Sequence, residues 1–179
     1  MRERVIISGA GGQGIMLAGK ILALAAMDEG RFVTWFPSYG AEVRGGTAHC
    51  MVVISDVEIG FPYVDKADSV IAMNGLSAAK FYPRRTATGL FFVNSSLCDI
   101  DAGWRNAQAY PFTDTAISLG DVRVANMVAL GSYVVRTNIV DLATVDRVIA
   151  QIAPADKKHL VTVNQRALAQ GAALIQKKG

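Results

Sequence analysis

The chain has 179 residues and a net charge of +3; 51% of the residues are hydrophobic and 18% charged. That length supports one substantial hydrophobic core. The basic residues fall in scattered pairs (Arg84-Arg85, Lys157-Lys158, Lys177-Lys178) and not in a stripe with interleaved aromatics, which argues against nucleic acid as a partner. The two cysteines, Cys50 and Cys98, are far apart and no CxxC occurs, so neither an iron–sulfur cluster nor a structural zinc is ligated by this chain alone.

A soluble domain is typically about 25% charged. The shortfall fits a parallel sheet buried on both faces, and equally a domain that hides surface against partner subunits. Met1-Arg2-Glu3-Arg4 leads straight into a strand, so no signal peptide is expected. The apolar run over residues 15–27 is too short to span a bilayer and contains Lys20. A cytoplasmic, reduced chain is expected, with both cysteines as buried strand residues.

In chain order, residues 5–8 form a β-branched strand. A glycine-rich loop follows. Residues 15–28, rich in Ala, Leu and Met, form a helix that Gly30 stops. Residues 31–36 form a second strand ended by Pro37. The polar, glycine-rich stretch 38–46 precedes a strand over 47–54, with Thr47, His49, Met51 and Val53 on one face and Ala48, Cys50, Val52 and Ile54 on the other. A further short strand is expected over 57–60. The tight spacing makes these strands antiparallel. A strand over 69–73 leads to Asn74 as N-cap of a helix reaching Phe81, broken at Pro83. Residues 89–94 are another buried strand and 108–110 a short one. A turn or short helix begins at Asp114. Helices are expected over 122–136, with Met127, Leu130 and Val134 on one face, over 142–152, and over 159–177. The fold class is α/β: a three-layer Rossmann-like domain over residues 1–179, its sheet mainly parallel with an antiparallel excursion near residues 47–60.

Gly9-Ala10-Gly11-Gly12-Gln13-Gly14 fits G-x-G-x-x-G between a strand and a helix. Glycines let the backbone turn tightly and approach a ligand, and the helix N-terminus offers N–H groups to an anion. A dinucleotide site also needs an acid at the end of the second strand to hold the ribose. Here that position reads Phe36-Pro37-Ser38, so NAD is weakly supported. The residues alone leave two readings open: anion binding, or mere tight strand–helix packing. A second loop, Ser38-Tyr39-Gly40-Ala41-Glu42-Val43-Arg44-Gly45-Gly46, starts at the carboxyl end of the second strand, the edge where α/β folds gather ligands. It offers a phenol, an acceptor and a forked donor, or a Glu42–Arg44 pair bracing the loop. His49 and His159 are the only histidines. His49 reads as a packing residue and His159 as a surface one, so no catalytic residue and no metal site are assigned.

The two loops together resemble the gamma subunit of the 2-oxoacid:ferredoxin oxidoreductases, which act on pyruvate, branched-chain 2-oxoacids or 2-oxoglutarate. Asn126-Met127-Val128-Ala129-Leu130-Gly131 looks like that family's N-x-x-x-L-G segment. The likeness runs through nearly the whole chain. One departure is Ala41, where the family commonly has Pro, which implies a less rigid loop.

The resemblance implies oxidative decarboxylation of a 2-oxoacid with coenzyme A to acyl-CoA, CO₂ and reduced ferredoxin. Thiamine diphosphate and [4Fe-4S] clusters then reside on companion subunits, since a thiamine-type Gly-Asp-Gly motif is missing and Gly120-Asp121-Val122 is the nearest approach. The chain itself is expected to hold no cofactor alone, to be inactive in isolation, and to serve assembly and a coenzyme A-facing role. Implied partners are the thiamine- and oxoacid-binding subunits, a ferredoxin-type subunit and ferredoxin; no membrane or nucleic acid is implied. Candidate binding residues are Gly9, Gly11, Gly12, Gln13, Gly14, Ser38, Tyr39, Glu42, Arg44, Gly45 and Gly46. The alternatives are a stand-alone nucleotide- or flavin-binding protein and a purely structural scaffold.

Overall fold

The computed structural model describes residues 1–38 and 47–176. Six strands form one mixed sheet: β1 (Arg2–Ala10), β2 (Phe32–Ser38), β3 (Thr47–Ser55), β4 (Ala67–Ala72), β5 (Arg85–Asn94) and β6 (Ala107–Tyr110). Their order is β2-β3-β1-β4-β5-β6. The β1–β4, β4–β5 and β5–β6 pairs are parallel, and β3 runs antiparallel to both β1 and β2. The sheet is α/β and mainly parallel, as expected. The antiparallel part ends at Ser55; no strand forms over 57–60. β3 lies between β1 and β2, so the two strands flanking the first helix are not neighbours.

Pro37 does not end β2, which runs on to Ser38. Among the described residues β2 is the outer strand, bonded on one side only, and an edge tolerates a residue without an N–H.

Alternation along the strands sends their side chains into two cores. Val5, Ile7, Cys50, Val52, Ile54, Ile71 and Phe92 belong to one, and Ile6, Met51, Val53, Val70, Phe91 and Val93 to the other. The first face is roofed by α1 (Ile15–Asp28), α3 (Phe112–Ser118), α4 (Ala125–Thr137), α5 (Leu142–Ile152) and α6 (Val161–Gln176). The second carries α2 (Gly75–Phe81), a short 3-10 turn over Tyr82–Arg84, and loops.

α4 departs from its one-faced expectation. Every residue from Ala125 to Val134 is buried, because the sheet lies on one side and α6 on the other. A Cβ on Gly131 would overlap the Leu168 carbonyl, and one on Gly171 the Val128 carbonyl. Two glycines therefore let the helices approach backbone to backbone, and the Ser132 hydroxyl donates to the Gly171 carbonyl at 2.7 Å. Among the described residues, no helix is long and apolar enough to cross a membrane.

Candidate site at the carboxyl edge of the sheet

β1 leaves the sheet into α1 on one face, while β4 leaves into α2 on the other. Adjacent parallel strands whose connections diverge open a crevice at their carboxyl ends, where doubly wound folds bind ligands. The glycine loop sits at this crevice. Gln13 N–H donates to the Ala10 carbonyl at 3.2 Å, and Gly12 (φ 88°) and Gly14 (φ 69°) adopt left-handed backbone that glycine reaches without a Cβ clash. Gly14 is the N-cap of α1.

Gln13 fills the crevice. Its Oε1 accepts from Ala10 N–H at 2.7 Å and from Asn74 Nδ2 at 3.2 Å, and its Nε2 donates to the Met73 carbonyl at 3.4 Å. Asn74 is held in turn by capping α2, accepting from Ser77 N–H at 2.8 Å. The strap continues through buried Asn94, whose Nδ2 donates to the Met73 carbonyl at 3.1 Å and to Thr113 Oγ1 at 2.8 Å. Thr113 N–H donates back to Asn94 Oδ1 at 3.2 Å. One chain of amides thus ties the ends of β1, β4 and β5 to the start of α3.

Asn126 links the third motif to the first. Its Nδ2 donates to the Gly14 carbonyl at 3.0 Å, and a Cβ on Gly14 would overlap that amide. The N-x-x-x-L-G segment therefore has two physical tasks: Asn126 fixes the glycine loop, and Gly131 admits α6.

Beside the filled crevice lies an open cleft of about 160 Å³, lined by Gly12, Gln13, Met73, Leu97, Thr113, Val122, Arg123 and Ala125. Gly11 and Gly12 are exposed there, and no bonded acceptor occurs for the N–H of Gly11, Gly12 or Gly14 among the described residues. Neither α1 nor α4 carries an acidic residue in its first turn, so the positive ends of both dipoles are unquenched by their own helices.

The predicted site residues divide accordingly. Gly9 lies under Gln13, where a Cβ would meet Oε1 at 2.7 Å, so it serves packing. Gln13 acts as a plug. Gly12 lines the cleft, with Gly11 and Gly14 in the same loop. Ser38 pairs with His49 at the same sheet edge, two strand positions from β1 and so about 10 Å aside. Tyr39, Glu42, Arg44, Gly45 and Gly46, with the Ala41 departure, lie outside the described residues.

Sequence reasoning missed Gln13's plug role, Asn94, Thr113 and Arg123. Only the spacing Asp121-x-Arg123 just before a helix signalled the last. The thiols are chemically quiet: burial pushes Cys50 up to about 12 and Cys98 up to about 11. Cys50 is in β3 as expected, whereas Cys98 is a buried loop residue. His49 packs its ring on Phe81, with centroids 4.8 Å apart, and His159 is exposed.

Residues 4–174 match the family model for pyruvate ferredoxin/flavodoxin oxidoreductase. The chain belongs to that family. Among oxidoreductase relatives, the ketoisovalerate oxidoreductase subunit VorA of Methanothermobacter thermautotrophicus is 36% identical over 173 residues, covering 94% of this chain but 35% of VorA. The chain thus spans about a third of that relative. Among solved oxidoreductase structures, the gamma subunit of a keto/oxoacid ferredoxin oxidoreductase from Geobacter sulfurreducens superposes with a TM-score of 0.85 at 30% identity, covering 98% of this chain and 99% of that one. The 2-oxoglutarate:ferredoxin oxidoreductase of Magnetococcus marinus, solved with 2-oxoglutarate, coenzyme A and succinyl-CoA bound, gives 0.87 at 26% identity, covering 98% of this chain and 31% of that one.

Proposed function

We propose that this chain is the gamma-type subunit, one domain over residues 1–179, of a cytoplasmic 2-oxoacid:ferredoxin oxidoreductase that converts a 2-oxoacid and coenzyme A to acyl-CoA, CO₂ and reduced ferredoxin. The observation that carries this reading is end-to-end likeness to a gamma subunit. The chemistry of the donor set agrees. Two cysteines, both with raised pKa, do not make up the four thiolates of a [4Fe-4S] cluster. Among the described residues no group of three His, Cys, Asp or Glu could hold a metal ion. On this reading the clusters and thiamine diphosphate belong on companion subunits, and this chain's tasks are assembly and the coenzyme A-facing wall.

Two surfaces support those tasks. At the carboxyl edge, the cleft joins free loop N–H groups to a guanidinium. On the second face, Phe36, Phe61 and Tyr63 form an exposed aromatic ledge, with Phe36–Tyr63 and Phe61–Tyr63 centroids 6.4 and 6.3 Å apart. Arg84 holds it in place by stacking over Tyr63 at 5.3 Å and donating to the Val64 and Asp65 carbonyls. A braced aromatic surface suits a protein partner.

Co-purification of the tagged chain from its native source tests the reading. The expected result is co-elution with a thiamine-binding chain and CoA-dependent oxoacid oxidation. Recovery only as a free monomer overturns it. The alternative of a stand-alone nucleotide binder is disfavoured by Gln13, which occupies the crevice a dinucleotide pyrophosphate would need. Tight NAD(P) or FMN binding by the isolated chain would reinstate it.

A further inference from the structure

The two borders of the sheet are protected unequally. β6 has four residues and is followed by Pro111. β2 has seven, none of them charged, and its register with β3 runs unbroken from Phe32–Ser55 to Ser38–His49. Charge, bulges and shortness are the usual guards against pairing at an edge. β2 lacks all three and carries only Pro37.

The sheet fixes which backbone groups of β2 face outward. In a strand the N–H and C=O of one residue point to the same side, and those of the next residue to the other. Met73 N–H donates to the Ser8 carbonyl at 2.8 Å, so Ser8 faces β4 and Ile7 faces β3. Ile7 lies opposite Cys50, so Cys50 faces β1, while Met51 and Val53 face β2. Met51 and Val53 lie opposite Phe36 and Thr34, which therefore bond inward. Val33, Trp35 and Pro37 direct their backbone outward. Pro37 thus stands where no inward N–H is needed. The N–H and C=O groups of Val33 and Trp35 have no bonded partner among the described residues.

A second copy of the same edge supplies those partners. With Val33 of one copy opposite Trp35 of the other, an antiparallel pair exchanges all of these N–H and C=O groups about a two-fold axis at Thr34. The same register sets Phe32 of each copy against Phe36 of the other, in the close non-bonded pairs where side chains meet. Those rings are 49% and 42% exposed in the single chain. A register centred on Val33 or on Trp35 puts threonine opposite a phenylalanine instead. No like charges oppose the pairing: the strand is neutral, and the flanking Arg31 is paired with Asp56.

We infer that β2 is a homotypic edge, at which two copies of this chain pair β2 with β2, antiparallel and centred on Thr34, to join their sheets into one. This goes beyond the subunit reading and does not depend on it. The two-fold axis stands perpendicular to the sheet, so the aromatic ledges of both copies lie on the same side of the joined sheet. The contact is a strand pair and little more, which places it among small, weak interfaces of less than roughly 1,200 Å² in total.

A covalent trap suits a weak dimer. Two Thr34 residues across the axis form a non-bonded pair with Cα atoms about 4.5 Å apart, within the range a disulfide spans. The native thiols, Cys50 and Cys98, are buried, so the wild-type chain is the background. Thr34→Cys in the full chain, oxidised mildly and run on a non-reducing gel, is expected to give a disulfide-linked dimer as its main product. Phe32→Cys and Phe36→Cys are each expected to stay monomeric alone and to link to one another when mixed. Adding Phe32→Lys to Thr34→Cys is expected to abolish the link, with circular dichroism confirming the fold. A folded Thr34→Cys chain that stays monomeric overturns the inference. So does a link that survives the added lysine or that joins Phe36→Cys to itself, because collision and not register then explains it. In the co-purified complex the same dimer is expected, and a disulfide from residue 34 to a companion chain in its place overturns the homotypic pairing.

Discussion

The two faces of the sheet are finished in different ways. One carries five helices, and α4 is buried on all sides, with α6 pressed on its outer flank through Gly131 and Gly171. The other carries a seven-residue helix, a 3-10 turn and loops, and it leaves Phe32, Phe36, Phe61 and Tyr63 42–66% exposed. The difference separates two uses of apolar residues. On the first face they are spent on cohesion of the chain. On the second, Arg84 braces aromatic rings that none of the described residues covers, which is costly unless a partner does.

The sharpest way to break the comparison is to add atoms where the first face has no room. Gly131→Val or Gly171→Leu would drive a side chain into the backbone of the facing helix, which cannot give way as a side-chain tip can. Loss of the cooperative thermal transition is expected, followed by circular dichroism. A near-native melting temperature would mean that the two helices slide apart at little cost and that the first face is no tighter than the second.

Next comes Asn126→Ala, where the first face meets the glycine loop. It removes a bond to the Gly14 carbonyl, which keeps the Ala18 N–H, so the cost is that of one hydrogen bond, about 0.5–1.5 kcal/mol. Faster hydrogen exchange at residues 11–16 is expected, with the α2 region unchanged. Gln13→Ala should cost similarly but loosen the β1–β4 crevice, and it should raise NAD affinity above that of the wild-type chain, as read by calorimetry. If the crevice stays closed to NAD, Gln13 is not what closes it.

How far these features were legible follows from their range. Glycine and asparagine punctuation is local, so α1 matched its expected bounds between Gly14 and Gly30, and the Asn74 cap was readable from one residue. The strand alternation over 47–54 likewise assigned side chains to the correct faces. Pro37 was misread because edge position is a property of sheet order. The burial of α4 was missed because nothing within 122–136 announces α6. Gln13's bond to Ala10 is local, but its bonds to Met73 and Asn74 lie 60 and 61 residues away and require the parallel pairing of β1 with β4. The G-x-G-x-x-G pattern alone therefore pointed to a dinucleotide crevice that a residue inside the same motif fills.

On the second face the expected effect on stability is small and the effect on assembly large. Phe61→Ser changes a residue 66% exposed, so the melting temperature of the isolated chain should stay within about 0.5 kcal/mol equivalent of wild type. Co-purification of the companion subunits should fall, as read by size-exclusion chromatography. A large loss of stability with assembly intact would make the ledge part of the chain's own core and erase the distinction between the faces.

The smallest effect distinguishes the faces by the sign of their pH dependence. Glu3 is on the first face, where Tyr133 donates to its Oε1 at 3.2 Å. Burial raises its pKa above 4.5, and nearby Asp68 adds to the rise, against lowering hydrogen bonds from Ser69 and Tyr133. Above pH 4.5 the folded chain therefore holds a proton the unfolded chain has lost, so this group's contribution is full below 4.5 and fades as pH rises through the folded value. His49 is on the second face. Burial lowers its pKa below 6.5, with Lys80 and Arg84 contributing. Below pH 6.5 the unfolded chain takes up a proton the folded chain refuses, so stability falls as pH drops toward the folded value. Urea midpoints measured across this range should respond oppositely to two variants. Glu3→Gln should flatten the decline above pH 4.5, and His49→Gln the decline below 6.5. The same slope removed by both variants would show that the two groups titrate as one system through the sheet, and that its faces are not electrostatically separate.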